Sequence, residues 1–187
     1  MKKALVLLAF SLLSFAAYSQ VVGIKSNLLY DATTSMNLGV EVALAPKLTL
    51  DISGNYNPWE FNNKQFKHWL VQPELRYWLC EKFNGSFFGI HAHYAEFNAK
   101  GIKLPFDLYP GLKDHRYQGK LYGAGVSYGY HWILKKRWSM EATVGVGYAR
   151  VDYDRYNCQD CGTKLNSGHK NYFGPTKLGL SLIYIIK

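Results

Sequence analysis

The chain has 187 residues, enough for a single domain, and a formal net charge of +9. Aromatic residues make up 16% of it, with fifteen tyrosines and seventeen glycines. Beyond the N-terminal segment, no stretch has the about 18 consecutive apolar residues of a membrane-spanning helix, which excludes a helical membrane protein. A chain rich in tyrosine, tryptophan and glycine without such a helix is typical of an all-β membrane protein.

The first segment, residues 1–19, has the three parts of a secretory signal peptide. Two lysines precede an apolar run over residues 4–17, and small residues follow. We place cleavage near Ser19, so that residues 20–187 form the mature domain. No cysteine stands at the cleavage region, which argues against a lipid-anchored protein. Because the chain is exported, its basic charge does not indicate nucleic acid as a partner.

Eight runs of alternating apolar and polar residues follow, most of them near or above the about nine to eleven residues with which a tilted strand crosses a hydrocarbon layer. They span residues 23–31, 38–45, 48–56, 69–79, 86–97, 120–134, 138–151 and 174–186. Short connections alternate with long ones, and the two longest are loops 98–119 and 152–173. Outer-membrane barrels have this asymmetry, with tight turns in the periplasm. We therefore predict an all-β fold: an eight-stranded antiparallel up-and-down transmembrane β-barrel.

The alternation also assigns the two faces of each strand. In the stretch YGAGVSYGYHW, Tyr122–Trp132, the even positions are large and mostly apolar and the odd positions are small or polar. Charged residues within the strands fall almost entirely on the face opposite the apolar one. A lysine or arginine facing lipid at mid-bilayer would cost roughly 2–4 kcal/mol, so we predict that the charged face lines the interior. The predicted interior residues are Lys25, Glu41, Asp51, Glu74, Arg76, His91, His93, His131, Glu141 and Lys177.

Proline, tryptophan and glycine add positional detail. Pro73 removes a hydrogen-bond donor from the fourth run, so we expect a β-bulge there or a place near the rim. Trp69, Trp78 and Trp138 lie near strand ends, where aromatic belts form. Five inward glycines leave room for bulkier residues from across the barrel, or else border a small cavity. They are Gly123, Gly125, Gly129, Gly145 and Gly147.

Four segments resemble a bacterial outer-membrane family, domain of unknown function 3575. They are SNLLYDATTSMNLGVEV, NYNPWEF, KHWLVQPELRYWLCEKFNGSFFGIHAHY and GHKNYFGPTKLGLSLIYIIK. The resemblance covers residues 23–187. It implies a β-barrel of anaerobic gut or oral bacteria, in some cases encoded near genes for surface fimbriae. It implies no catalytic residue, because the family has no established chemistry.

The interior polar residues admit three interpretations. Glu74 lies one strand away from His91 and His93, and a histidine with a carboxylate could act as acid and base. His91 and His93 on one strand face could instead contribute two metal ligands. The interpretation that we favour is a salt-bridged interior in which buried charges satisfy one another.

The three cysteines are treated separately because they lie at different ends of the predicted barrel. Cys80 stands at a periplasmic turn, too far from the others to pair with them. Cys158 and Cys161 lie in the last outer loop, where an oxidising exterior favours a disulfide between them. The stretch CQDCG also resembles half of a zinc knuckle, with His169 as a third ligand. We predict the disulfide, and no bound metal or cofactor.

These features predict a monomeric structural or interaction protein of the outer membrane. Its partners would be outer-membrane lipid, lipopolysaccharide phosphates and a surface protein such as a fimbrial component. Cationic residues of the two long loops would face them: Lys100, Lys103, Lys113, Arg116, Arg155, Lys164 and Lys170. The alternatives are a lipid-modifying enzyme that uses His91, His93 and Glu74, and a narrow conduit. A soluble lipocalin-like barrel would need inverted faces, which the charge pattern disfavours.

Overall fold

The computed structural model describes residues 21–61, 64–100, 116–156 and 164–186. The segment 1–19, where we predict the signal peptide, lies outside these ranges. The described chain is almost entirely strand, with one short helix, α1 (Leu28–Ala32). The strands are β1 (Val22–Asn27), β2 (Met36–Ala45), β3 (Leu48–Asn57), β4 (Glu60–Phe61), β5 (Lys64–Trp78), β6 (Gly85–Lys100), β7 (Arg116–Lys135), β8 (Trp138–Tyr156) and β9 (Lys164–Ile186). Within the described ranges, no helix has the length and apolar character needed to cross a membrane.

Eight of the described strands form one antiparallel sheet that closes into a ring. Neighbours in sequence pair with one another, β3 pairs directly with β5, and β1 pairs with β9. Among the described strands, the two-residue β4 pairs with β5 alone and stands outside the ring. The ring confirms the predicted all-β class and the number of strands. We call the end with the short β2–β3, β5–β6 and β7–β8 connections the turn end, and the opposite end the loop end.

A row of outward residues shows how the strands are staggered around the ring. Starting at Val22, the ladder pairs lead in order to Val42, Leu50, Leu75, Ile90, Val126, Val146 and Pro175. Val22 itself pairs with Ile186, so one circuit of the ring moves along β9 from Ile186 to Pro175. Such a stagger means that the strands are tilted relative to the axis of the ring.

The strands are longer at the loop end than predicted. β6 and β8 run on to Lys100 and Tyr156, and β7 and β9 begin at Arg116 and Lys164. The predicted loops 98–119 and 152–173 were therefore wrong in their bounds, because much of both is strand. Many of their added pairs, such as Asn98 with Gln118, are polar, although Ala99 and Tyr117 form a buried apolar pair. A polar strand lacks the apolar alternation by which strands are detected in sequence.

The first strand is shorter than the predicted run 23–31. It ends at Asn27, and residues 28–31 belong to α1 instead. The side-chain oxygen of Asn27 accepts a hydrogen bond from the backbone N–H of Leu29 at 3.2 Å. This N-cap satisfies one of the first helical donors and ends the strand.

Pro73 interrupts the β5–β6 ladder without the predicted bulge. The pairs on either side of it, Val71 with Tyr94 and Glu74 with His91, keep the same register, and two pairs between them are missing. The missing N–H of proline is thus accommodated by a local gap in the ladder and not by an inserted residue.

The inward glycines of β7 make room for side chains of the neighbouring strand, not for residues from across the ring. In the β6–β7 ladder, Gly123 stands opposite His93 and Gly129 stands opposite Phe87. A Cβ at Gly123 would lie 2.7 Å from His93 Nε2, and a Cβ at Gly129 would lie 2.6 Å from Phe87 Cε1. The large β6 side chains fold over these positions and fill the interior there.

The Gly123→Ala substitution is expected to lower the free energy of unfolding by about 1–3 kcal/mol, the usual cost of overpacking. The new Cβ would overlap the carbonyl oxygen of Tyr148 and lie 2.7 Å from Cα of Ala149, so β7 and β8 would have to separate. Denaturant unfolding of refolded protein measures the change. Gly54→Ala is the matched control, since its Cβ would meet only the carbonyl oxygen of Leu38, at 3.9 Å. Equal stability of the two variants would contradict this account.

Candidate functional site

The middle of the ring is filled by charged side chains from six strands, which we name the ionic cluster. Its members are Lys25, Glu41, Asp51, Glu74, Arg76, Glu141 and Lys177. All but Lys177 are almost fully buried, and Lys177 is only 11% exposed. They meet because alternate residues of each strand point inward. All the charged residues that the sequence assigned to the interior therefore lie together.

Arg76 is the centre of the ionic cluster. Its guanidinium lies 2.7 Å from Glu41 Oε2, 3.1 Å from Asp51 Oδ2, 2.6 Å from Glu74 Oε2 and 2.8 Å from Glu141 Oε2. The same group lies over the ring of Phe87, 4.4 Å from its centroid. A planar guanidinium carries five donors in a fixed geometry, so one arginine can bind several carboxylates at once.

Two lysines complete the cluster. The Lys25 ammonium contacts Glu41 at 2.6 Å, Asp51 at 3.1 Å and Glu141 at 3.8 Å. The Lys177 ammonium contacts Glu74 at 2.7 Å and Asp51 at 3.7 Å. Three cations thus face four carboxylates, and each member has a partner of opposite charge. Buried charges are tolerated when they are paired in this way.

The three predicted interior histidines lie beside the cluster on its two sides. His91 Nε2 is 2.9 Å from the Thr176 hydroxyl, and His91 Nδ1 is 4.0 Å from Glu74. The ring centroids of His91 and His93 lie 5.8 Å apart, and the ring planes are tilted by 36°. His131 lies nearer the turn end, with Nδ1 3.8 Å from Glu141 Oε2.

Thr176 is an interior residue that the alternation missed. It stands as an extra residue on β9, between the pairs Gly145 with Lys177 and Val146 with Pro175. Its hydroxyl bonds to His91, and its carbonyl oxygen accepts from the Gln72 side chain at 3.4 Å. A β-bulge redirects side chains in this way. The available signal was Pro175, because proline within a sheet is confined to edges and bulges.

The Glu74 carboxylate, the predicted base, is occupied by contacts within the cluster. Glu74 binds Arg76 and Lys177 through one oxygen and accepts from the Ser127 hydroxyl through the other. Neither oxygen is free to take a proton from a substrate. Among the described residues, no group of three or more histidine, cysteine, aspartate or glutamate side chains is arranged to hold a metal ion.

An aromatic layer closes the interior at the turn end. Trp78 is 0% exposed, and its ring centroid lies 4.8 Å from Phe87 and 5.9 Å from Phe83. Its indole N–H donates to the Thr49 hydroxyl at 2.9 Å. The prediction that Trp78 belongs to an outer aromatic belt was therefore wrong. Its position, two residues after Arg76 on the same strand face, was the signal for an inward side chain.

The loop end carries an open cavity of about 920 Å³. Trp69, Glu96, Lys120, Asp154 and His169 are among the residues that line it. Glu96 accepts from the Tyr94 hydroxyl at 2.9 Å and from the Trp69 indole at 3.3 Å. The Lys164 ammonium and the Ser167 hydroxyl beside Asp154 hold the pKa of that carboxyl below its ordinary value.

The predicted cysteines and loop cations lie partly on the observed strands and partly outside the described residues. Cys158 and Cys161, with Lys103 and Lys113, lie outside the described residues, so their disulfide and the cationic role of the two lysines stay predictions. Cys80 is exposed and forms no disulfide with a described residue. The other cations assigned to loops stand on strands: Lys100, Arg116, Arg155, Lys164 and Lys170.

Comparison with known proteins bears on nearly the whole chain. The family model described as protein of unknown function DUF3575 matches residues 5–186. No curated protein and no solved structure matches the chain significantly.

Proposed function

The chain belongs to the DUF3575 family of proteins of unknown function, and we propose that it is a transmembrane β-barrel of the outer membrane. In this proposal residues 1–19 are a cleaved signal peptide, and the ring spans the membrane as a monomer. The turn end faces the periplasm and the loop end faces the exterior. The protein serves as a structural or interaction module, and its loop end meets lipopolysaccharide and a surface partner, for example a fimbrial component.

The observation that carries this proposal is the inverted polarity of the ring. Outward apolar side chains are strongly exposed, including Ile90 at 68%, Leu178 at 62% and Val126 at 57%, whereas the charges of the ionic cluster are buried. A water-soluble protein rarely exposes so large a contiguous apolar surface. Hydrocarbon solvates such a surface well, and a closed sheet is one of two folds that satisfy the backbone there.

A polar and aromatic band near the loop end supports a place in the membrane for the same ring. The outward Tyr122 hydroxyl donates to Asp152 at 3.2 Å, and the outward Tyr148 hydroxyl donates to Asn171 at 2.9 Å. Arg150 forms an ion pair with Asp152 at 3.1 Å. Tyrosines whose rings adjoin an apolar surface and whose hydroxyls meet charged groups are typical of the membrane–water interface.

The filled interior supports a structural role over the two alternatives. A conduit needs a continuous polar path, and here the ionic cluster and the aromatic layer lie one after the other along the interior. A lipid-modifying enzyme needs an accessible base, and Glu74 and His91 are each only 1% exposed. An eight-stranded closed sheet has an interior that side chains just fill.

Electrophoresis of detergent-extracted outer membranes, with and without boiling, tests the proposal. We expect the protein in the outer-membrane fraction, with an unboiled band that migrates faster than the boiled one because the closed sheet resists the detergent. A protein in the soluble fraction without a heat shift would overturn the proposal.

A pair of substitutions sharpens this experiment. Val126→Arg places a charge on the outward apolar face and should weaken the heat-shifted band, since such a charge at mid-bilayer costs about 2–4 kcal/mol. Gln118→Arg, an exposed position near the loop end, should leave the band unchanged. If Val126→Arg has no more effect than Gln118→Arg, the outward face does not lie in hydrocarbon.

A further inference from the structure

One side of β9 is paired over only part of its length. The β8–β9 ladder extends from Lys164 to Tyr184, whereas the β1–β9 ladder begins at Ser181 and ends at Ile186. The β1 side of residues 164–180 therefore has no strand partner within the described part of the chain. In a ring that is otherwise closed, this is an edge.

The half of this edge that lies nearer to β1 is capped by the chain itself. The Asn27 side chain donates to the Leu178 carbonyl oxygen at 3.2 Å and accepts from the Leu180 N–H at 3.1 Å. Pro175 has no N–H to satisfy, and its carbonyl oxygen accepts from the Tyr172 hydroxyl at 3.2 Å. Proteins protect strand edges with such devices.

The other half, residues 164–173, has no such cap from the described residues. Its outward side chains are not covered by the described residues: Leu165 is 50% exposed and Phe173 is 82% exposed. The cavity of about 920 Å³ opens beside it and is lined in part by Ser167, Gly168 and His169. A strand edge with free space alongside is a template for an added strand.

The charges around this edge indicate what would bind. Arg150 and Arg155 on β8 and Lys164 and Lys170 on β9 stand against two carboxylates, those of Asp152 and Asp154. Among the described residues, this surface thus carries an excess of positive charge, which attracts an acidic partner and speeds its association.

We propose that the β9 edge, residues 164–173, binds an extended acidic segment of a partner polypeptide as an added strand. Backbone hydrogen bonds supply the affinity in this mode of recognition, and the cations select the acidic sequence. This inference rests on the proposed function, because the edge can meet a surface partner only if the loop end faces the exterior.

Hydrogen exchange of the full mature protein in detergent micelles tests the proposal directly. The probe is a twelve-residue peptide of alternating valine and glutamate, and the control peptide has the same sequence with every backbone nitrogen methylated. Without peptide, we expect fast exchange at alternate amides of residues 164–173, those that face the free side. The probe should slow their exchange, and the methylated peptide should not.

Matched variants separate backbone pairing from side-chain contact. N–H groups of alternate residues point to the same side of a strand. Pro175 stands within the β8–β9 ladder without an N–H, so the nitrogens of residues 175 and 169 face the free side. His169→Pro should therefore leave the β8 ladder intact. It should weaken binding of the probe about tenfold, because the edge loses one backbone hydrogen bond and the proline ring obstructs the added strand. His169→Ala keeps the N–H and should bind normally.

The outcomes distinguish failure of this inference from failure of the proposed function. Slow exchange without peptide, no protection by the probe, or equal protection by the methylated peptide would overturn the edge proposal, even where the heat-shifted band is present. Protection that depends on protein concentration alone would assign the edge to a second copy of the chain instead. A water-soluble protein without a heat shift would overturn the proposed function, whatever the peptide does.

Discussion

Replacing Arg76 by glutamine should lower the free energy of unfolding by about 3–5 kcal/mol, the usual cost of removing one partner from a buried ion-pair network. Arg76 is 1% exposed and contacts all four carboxylates of the ionic cluster. Without it, Lys25 and Lys177 alone would face four buried carboxylates. Urea unfolding of the refolded protein, followed by circular dichroism, measures the loss.

Two further substitutions show whether the stabilising effect of Arg76 comes from the geometry of its donors or from its charge alone. Arg76→Lys keeps the charge but not the planar set of donors, so its stability should fall between those of the parent protein and Arg76→Gln. Lys120→Gln removes an exposed ion pair with Glu96 and should leave stability nearly unchanged. Equal stability of Arg76→Gln and Lys120→Gln would mean that water reaches the cluster and solvates its carboxylates.

Trp78→Ala should lower the free energy of unfolding by about 3–5 kcal/mol, because truncation of a buried tryptophan leaves a cavity that its neighbours fill only in part. The Trp78 side chain is fully buried between Phe83 and Phe87. The same urea unfolding measures the change.

Trp138→Ala is the matched control for this substitution. Trp138 lies on the outward face, is 45% exposed and contacts the ring of Tyr184 at 5.1 Å. Trp138→Ala should therefore lower the free energy of unfolding much less than Trp78→Ala does. If the outward substitution proved as costly as the inward one, the turn end of the interior would not be the closely packed layer described above.

The two layers explain how so narrow a ring is filled. Charged side chains of both signs satisfy one another in the middle, and aromatic rings exclude water at the turn end. Their junction is the contact between Arg76 and Phe87, where the guanidinium lies over the ring at 4.4 Å. A cation over an aromatic face is a favourable contact between a polar layer and an apolar one.

Sequence reasoning was most successful where the strand period alone decides the position of a side chain. Successive residues of a strand point to opposite faces, so Glu74 and Arg76 had to lie together and Leu75 and Tyr77 had to lie opposite them. The number of strands followed in the same way, because each apolar run is bounded by turn residues. Neither inference required knowledge of which strands pair.

Some features were beyond the strand period because they depend on which strands meet. The ends of β6–β9 nearest the loop end carry many polar residues, and it is their pairing with one another, as of Asn98 with Gln118, that makes them strands. The gap at Pro73 likewise depends on the strand beside it.

The sequence by itself therefore determined the all-β class, the eight strands and the inward face of the seven charged residues that form the ionic cluster, since the two-residue period is a local property of the backbone. Only the tertiary structure decided that Arg76 meets four carboxylates, that Thr176 turns inward at a bulge, and that part of β9 has no partner strand among the residues that the structure describes. These features follow from the stagger of strands around a closed ring, which joins residues far apart in the chain.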